Sequence, residues 1–185
     1  MALGEAILTC LAERPMTGYE LAKTFDTSIG YFWRAGHPQI YRELAKLRTD
    51  GFASARAVQQ TDRPNKVLYT ITAAGLERLL AWSGEEAERP PIRDDMVVKL
   101  YALDHVDIGA LRRQIRARLE DHRKRLALFE RIAATRYAHE PMQRAQVGKL
   151  LGLRLGLISE RGWITWCEAA LGSLARLEGQ SSGAP

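Results

Sequence analysis

The apolar positions of residues 2–47 recur every three to four residues, which predicts three short amphipathic helices. Leu3, Ile7 and Leu11 lie four residues apart and form the buried stripe of the first helix. The corresponding stripes are Leu21, Ala22 and Phe25 in the second helix, and Ile40, Leu44 and Leu47 in the third. The polar residues on the opposite side of the third helix are Gln39, Arg42, Glu43 and Lys46.

Capping residues mark where these helices begin and end. Thr17 and Glu20 have the spacing of a capping box, in which each side chain bonds the backbone amide of the other residue. The second helix is therefore predicted to begin at Gly18. Pro38 suits the first position of the third helix, because an N–H there has no intrahelical acceptor. Asp50 and the glycine that follows it end this helix.

Residues 53–72 change to a period of two, which is typical of strands. Two strands, residues 53–58 and 67–72, flank a polar, proline-containing hairpin tip at residues 59–66. Thr72 can cap a fourth helix that carries Leu76, Leu79 and Leu80. Helix, helix, helix, hairpin, helix is the order of a winged helix-turn-helix, which we predict for residues 1–83.

Beyond an acidic, proline-terminated linker at residues 84–91, the pattern is helical throughout. Residues 92–178 are predicted to form a helical dimerisation and effector domain, and residues 179–185 a disordered tail. The fold class is therefore mainly α, an N-terminal winged helix-turn-helix with a two-stranded wing followed by a C-terminal helical dimerisation domain.

The final helix carries two apolar stripes. One is a coiled-coil-like seam that only Glu160 interrupts, and it comprises Leu150, Leu153, Leu157, Ile164, Cys167, Leu171 and Leu174. The second comprises Leu151, Leu155, Ile158 and Trp166. One partner surface cannot cover both stripes. Gly148, Gly152 and Gly156 recur every fourth residue, which would let another backbone approach closely.

Composition narrows the class of protein only slightly. The 185 residues carry a net charge of +5, which suits a polyanionic partner but is weak support by itself. The two cysteines, Cys10 and Cys167, lie in separate helical stretches, so a reducing cytoplasm is the expected setting. The longest apolar run, residues 150–158, contains an arginine and is far shorter than the ~20 residues of a membrane span.

Three segments of the chain carry a family resemblance: residues 8–20 (LTCLAERPMTGYE), 31–51 (YFWRAGHPQIYRELAKLRTDG) and 67–75 (VLYTITAAG). They resemble the PadR family of transcriptional regulators, in the form with a virulence-activator-like C-terminal helical domain. The resemblance implies a winged-helix DNA-binding head, a homodimer made by the C-terminal helices and, usually, transcriptional repression. It also implies a response to small aromatic compounds bound near the dimer interface.

The candidate DNA-binding residues lie on the third helix and on the wing. A recognition helix reads base edges in the major groove, where Gln39 could pair with adenine and Arg42 with guanine. Tyr41 suits a phosphate contact, and Lys46 lies on the same helix. The wing adds Arg63 and Lys66 for phosphate or minor-groove contacts. Arg34 and Arg48 are weaker candidates, because each could equally form an intramolecular ion pair.

Trp163 and Trp166 are the candidate effector-binding residues. They lie three positions apart on one helix face and could stack on a planar ligand; alternatively, they seal the dimer core. His122 lies on an apolar stripe and is predicted to be a core residue. The arginine-rich face of residues 112–125 is interpreted as a solvated helix face.

Nothing in the sequence proposes a reaction. It contains no His-Glu-x-x-His, phosphate-binding glycine loop or Gly-x-Ser-x-Gly motif, and the histidines have no metal-ligand spacing. We therefore expect no enzyme, no metal and no cofactor, and partners limited to double-stranded DNA, a second copy of the chain and an aromatic ligand. Two alternatives remain open, a winged helix used for protein contact and a small-molecule binding protein without DNA activity.

Overall fold

The computed structural model describes residues 3–27, 33, 35–59, 66–87, 93–137 and 141–181. Of the candidate residues above, Arg34 and Arg63 lie outside these ranges, as do most of the hairpin tip and the second half of the predicted linker. The chain divides into two compact units, residues 1–89 and 90–185. The exact boundaries proposed from the sequence stay predictions.

The first unit contains the elements predicted for a winged helix. In chain order they are α1 (Leu3–Glu13), β1 (Met16–Thr17), α2 (Gly18–Thr27), α3 (His37–Thr49), β2 (Ala53–Val58), β3 (Lys66–Ile71) and α4 (Ala73–Trp82). The sheet is antiparallel with strand order β1-β3-β2. The sequence predicted two strands and missed β1, because its two residues are too few to show alternation. In β1, Met16 pairs with Tyr69 of β3.

The turn after α3 and the start of α4 are fastened together. Gly51 adopts a φ of 79°, a left-handed conformation that favours glycine. The Thr72 hydroxyl donates to the Gly51 carbonyl at 2.7 Å and accepts from the Gly75 amide at 3.1 Å. This confirms Thr72 as the cap of α4. A Cβ atom at Gly75 would lie 2.2 Å from the Phe52 carbonyl oxygen, so only glycine allows this approach.

The core of the first unit is formed by the predicted stripes of α1, α2 and α3, all of whose members except the half-buried Leu3 are buried. Each fully buried leucine or isoleucine contributes roughly 1.5–3 kcal/mol relative to an exposed one. On α4, only Leu79 packs against this core, whereas Leu76 and Leu80 are exposed. The hydrophobic stripe of α4 therefore remains largely uncovered within one chain.

The second unit is helical, as predicted. It consists of α5 (Asp95–Tyr101), a single 3₁₀ turn (Leu103–His105), α6 (Ile108–Arg136) and α7 (Arg144–Ser181). Asp94 caps α5 by accepting from the Met96 amide at 2.9 Å, and the predicted cap Asp107 accepts from the Ala110 amide at 2.9 Å. Helix α7 extends through Ser181, so its last three residues enter the segment predicted to be a disordered tail.

Helices α6 and α7 pack antiparallel, since Arg123 bonds Glu168 whereas Phe129, six residues later, lies against Gly156. The predicted seam of α7 faces α6, with Leu153, Cys167 and Leu174 buried. The second stripe behaves differently, and its aliphatic members Leu151, Leu155 and Ile158 are exposed. Gly156 admits the Phe129 ring and not, as the glycine spacing suggested, another backbone.

Candidate nucleic-acid interface and candidate ligand groove

The start of α2 is fixed by the predicted capping box. Glu20 Oε2 accepts from the Thr17 amide at 2.8 Å and from the Thr17 hydroxyl at 2.9 Å, while the Glu20 amide donates to Thr17 Oγ1 at 3.2 Å. The two bonds that the Glu20 carboxylate accepts, above all the one from the Thr17 amide, lower the pKa of this carboxyl. Tyr19, beside this cap, is 70% exposed and was not singled out from the sequence.

Tyr41 of α3 lies against this same turn. A Cβ atom at Gly18 would be 2.4 Å from Cε1 of the Tyr41 ring, so the glycine lets the ring approach the first residue of α2. The side chain nevertheless remains 47% exposed. The structure thus brings Tyr41 and Tyr19 to one edge of the helix-turn-helix, an exposed phenol from each helix.

The first turn of α3 is held by side chains at both ends of the connecting segment. Gln39 Oε1 accepts from the Gly36 amide at 3.0 Å, and His37 Nε2 lies 3.2 Å from Asp26 Oδ2 of α2. Bidentate recognition of adenine needs both the amide oxygen and the amide nitrogen of a glutamine. Because the Gln39 oxygen already serves the cap, Gln39 orients the helix in this structure.

Arg42 and Lys46 lie one turn apart on the polar side of α3 but have different surroundings. With Ile40, Leu44 and Leu47 buried, the helical repeat places Arg42 on the outermost face. Arg42 is exposed, and within the described ranges no carboxylate pairs with it. Lys46 instead lines a polar depression between α1, α3 and α4, which it shares with the acidic residues Glu5, Glu43, Asp50 and Glu85.

The wing adds positive charge on the side of α2. Lys66, the first residue of β3, pairs with Val58 and is exposed. Its charge is one of the smaller causes that lower the pKa of Glu20, which places it near the start of α2. Arg56, opposite Leu68, shares a face of the hairpin with Lys66 and is exposed. Arg56 was also missed, although it is the single charged residue in β2.

A separate open groove lies within the C-terminal unit. It has a volume of about 750 Å³ and lies between α5 with its preceding residues and the middle of α7. Its wall is largely apolar and includes both candidate effector-binding residues; the lining residues are Arg93, Asp94, Asp95, Val97, Val98, Ser159, Gly162, Trp163 and Trp166. The two tryptophans are half-buried and meet edge to face, with ring centroids 5.6 Å apart.

Polar groups of α6 surround the Trp163 side of this groove. His122, buried as predicted, stacks nearly parallel on Trp163 at 5.4 Å and shares a 2.5 Å contact with Glu160 Oε2. Arg118 lies 5.2 Å from the centre of the same ring and donates to both Asp94 oxygens, at 2.6 and 3.2 Å. The bonds from Arg118 are the main cause that lowers the pKa of Asp94.

Two features that would suggest other classes of protein are missing from the described ranges. No group of three or more histidine, cysteine or carboxylate side chains there could hold a metal ion. Nor is any helix among the described residues long and apolar enough to span a membrane.

Comparison with known proteins matches both halves of the chain. Residues 7–81 match the family model described as transcriptional regulator PadR-like, and residues 92–175 match virulence activator alpha C-term. A Mycobacterium tuberculosis protein named as probable transcriptional regulator Rv1176c is 36% identical over 179 residues, covering 91% of this chain and 95% of the relative.

Two solved structures of Bacillus subtilis PadR share the fold. The structure of PadR in complex with operator DNA matches this chain with a TM-score of 0.79 and 27% sequence identity, and the match covers 94% of this chain and 99% of the PadR chain. In complex with p-coumaric acid, it has a TM-score of 0.74 and 26% identity, covering 95% of this chain and 99% of that one. The predicted DNA-binding winged helix followed by C-terminal helices is confirmed, and these relatives are regulators and not enzymes. The chain belongs to the PadR-like family of transcriptional regulators and carries the virulence-activator type of C-terminal domain.

Proposed function

We propose that the protein is a cytoplasmic, sequence-specific repressor that binds an inverted-repeat operator as a homodimer and is released by a small aromatic ligand. The observation that carries the DNA-binding part is the cationic and phenolic edge of the first unit. There Tyr41, Arg42 and Lys66 lie exposed along α3 and the adjoining wing.

The members of this edge have different tasks. Arg42, on the outer face of α3, is the candidate for base recognition, because a guanidinium pairs bidentately with guanine in the major groove. Tyr41 and Lys66 flank it and suit the phosphate backbone, which fixes register and contributes salt-dependent affinity. Arg63 would extend the wing contacts. Gln39 supports these contacts by holding the helix start, and Lys46, beside four carboxylates, is the weakest of the set.

The dimer proposal is supported by the uncovered stripe of α7. Val147, Leu151, Leu155 and Ile158 are all exposed, and Leu155 is 62% exposed although the opposite face of the helix is packed on α6. Their spacing of four, four and three residues places them on one side of the helix. A second copy pairing through the same stripe would bury it and set two heads on half-sites about one helical turn apart.

The effector part is supported by the groove of the C-terminal unit. Its volume lies in the range of roughly 300–1,000 Å³ typical of small-molecule sites, and its apolar wall with two indoles suits a planar aromatic compound. The relative solved with p-coumaric acid makes that compound the first probe. Ligand binding beside α5 would alter the dimer geometry and, with it, the distance between heads.

The test of DNA binding is fluorescence anisotropy with labelled DNA from upstream of the protein's own gene and a shuffled sequence, each at two salt concentrations. Wild type is expected to prefer the natural sequence and to weaken steeply with salt. Arg42→Ala should lose about 5- to 150-fold in affinity for each head, as expected for a bidentate base contact of about 1–3 kcal/mol.

Arg116→Ala is the matched control, an exposed helical arginine on the face of residues 112–125 that we interpret as merely solvated. Equal losses in the two variants would refute the assignment of the interface to α3. If a genome-wide set of fragments yields no binding at all, a winged helix used for protein contact becomes the better hypothesis. If p-coumaric acid binds while no DNA does, a small-molecule binding protein is favoured.

The dimer is tested by light scattering coupled to size exclusion. Leu155→Glu should produce a monomer and lower operator affinity, because it places a carboxylate in the paired stripe. Leu80→Glu, which changes an exposed leucine of the other unit, is the control and should remain dimeric. A Leu155→Glu protein that stays dimeric would refute pairing through this stripe. Repression is tested separately with a promoter fused to a reporter, which deletion of the protein should derepress.

A further inference from the structure

The two tryptophans of the groove have unequal surroundings. Trp163 has the imidazole of His122 stacked on its ring at an interplanar angle of 7°, the Arg118 guanidinium 5.2 Å from its centre, and Trp166 at its side. Within the part of the chain that the structure describes, the one ring that Trp166 meets is Trp163. The groove therefore contains one indole, Trp163, that has an imidazole and a guanidinium against its ring, and a second, Trp166, that packs on the core of this unit and on the edge of Trp163.

The groups on Trp163 are themselves fixed. Arg118 makes two bonds to Asp94, the residue that also caps α5, and His122 is held by the buried Glu160. Cation–π contact and parallel stacking each stabilise an aromatic ring in its place. A ligand that stacked on Trp163 in place of these groups would have to displace the imidazole and the guanidinium, whereas stacking on Trp166 displaces neither.

We propose that Trp166 provides the ring surface on which the aromatic ligand stacks, and that Trp163 is a positioning residue oriented by the Asp94–Arg118 pair. This inference rests on the effector part of the proposed function. It gives Trp166 and Trp163 different roles, and it makes Asp94, at the start of α5, a residue that supports the groove.

The experiment is isothermal titration calorimetry of the full chain with two probes, p-coumaric acid and 8-anilinonaphthalene-1-sulfonate. Trp166→Leu is expected to bind both at least tenfold more weakly; because Trp166 also packs on the core of this unit, the titrations are run well below the thermal midpoint of the variant. Asp94→Asn keeps a good helix cap and removes the charge that holds Arg118. It should bind several-fold more weakly and change the near-ultraviolet circular dichroism of the ligand-free protein, which a loss of stability alone would not do.

Asp95→Asn is the matched control, since Asp95 is the exposed neighbour that also lines the groove. It should match wild type within twofold and leave the dichroism spectrum unchanged. Wild-type affinity in Trp166→Leu, or equal effects of the two aspartate changes, would overturn the inference while the effector proposal stands. If the unmutated protein binds neither probe, the inference and the effector proposal both fail, and DNA binding by the head is unaffected.

Discussion

Replacing Gly18 with alanine should weaken DNA binding without destabilising the fold. The added Cβ would lie 2.4 Å from Cε1 of Tyr41 and 3.1 Å from both Cδ1 and Cζ. Ordinary carbon contacts lie at about 3.5–4.0 Å, so the ring must retreat by roughly 1 Å or more. Because the ring is the outer end of a flexible, half-exposed side chain, it can move without disturbing the backbone of either helix.

The interaction that this shift weakens is the proposed hydrogen bond between the Tyr41 hydroxyl and a DNA phosphate. A hydroxyl bond to an anionic oxygen requires an O···O distance of about 2.5–3.0 Å, so a shift of ~1 Å breaks it. Such bonds to charged groups contribute about 1.5–3 kcal/mol, which is at least tenfold in affinity for each head. The unfolding free energy should change by less than about 1 kcal/mol, because the lost ring packing is offset by the better helix propensity of alanine.

The assay is operator anisotropy combined with urea unfolding for Gly18→Ala, Tyr41→Phe and the double variant. The two single changes should weaken binding similarly, and the double variant should be no weaker than Tyr41→Phe alone. Gly172→Ala, a helix-interior glycine of α7 with only an Arg176 nitrogen 3.9 Å away, is the control. The reasoning would be refuted if Gly18→Ala bound the operator with wild-type affinity while Tyr41→Phe bound it more weakly. It would also be refuted if Gly18→Ala lost more than ~2 kcal/mol of unfolding free energy.

Three further predictions concern stability and reactivity. Gly75→Ala should lower the unfolding free energy by about 2–3 kcal/mol, because its Cβ meets the Phe52 carbonyl, which is backbone and cannot yield; unchanged urea unfolding would contradict this. The pKa of Glu20 is lowered in the fold, so its ionised form stabilises above the unfolded value of about 4.3, and this contribution is lost as the pH falls through the lower folded value. The stability gap between wild type and Glu20→Gln, measured from pH 7 to pH 3, should therefore shrink towards acid, and a widening gap would be inconsistent with the cap. Burial raises the pKa of the Cys167 thiol, so a thiol reagent should modify it only at the rate of unfolding, whereas rapid native modification mapped there by mass spectrometry would show it to be accessible.

Two helices carry exposed apolar side chains that recur along one face, and this bears on how the regulator assembles. Val147, Leu151, Leu155 and Ile158 follow one side of α7, and Leu76 and Leu80 form a shorter pair on α4. Large apolar side chains that recur along one helix face are typical of interfaces. The stripe on α7 is the longer of the two, and it is the one that the proposed dimer covers.

The local architecture could be predicted from the sequence because it depends on short-range spacing. The Thr17–Glu20 box, the Thr72 cap and the stripe ending at Leu47 are each set by residues three or four positions apart. Helical periodicity also indicated which α7 residues face α6. These features follow from backbone hydrogen bonding and the helical repeat, which do not depend on distant parts of the chain.

The tertiary structure decided which candidate side chains are available. Spacing alone could not show that Tyr41 lies against Gly18, that Lys46 lines a depression together with four carboxylates, or that Arg118 and His122 contact the Trp163 ring. Each of these facts depends on contacts between separate helices, and a periodic pattern says which face is buried without naming what it meets. The sequence by itself therefore determined most of the elements, the caps at Thr17, Thr72 and Asp107, and the family. Only the packing of helices against one another determined which side chains are available to contact DNA or a ligand. The reason is that this packing decides which polar groups already have a hydrogen-bond partner within the protein.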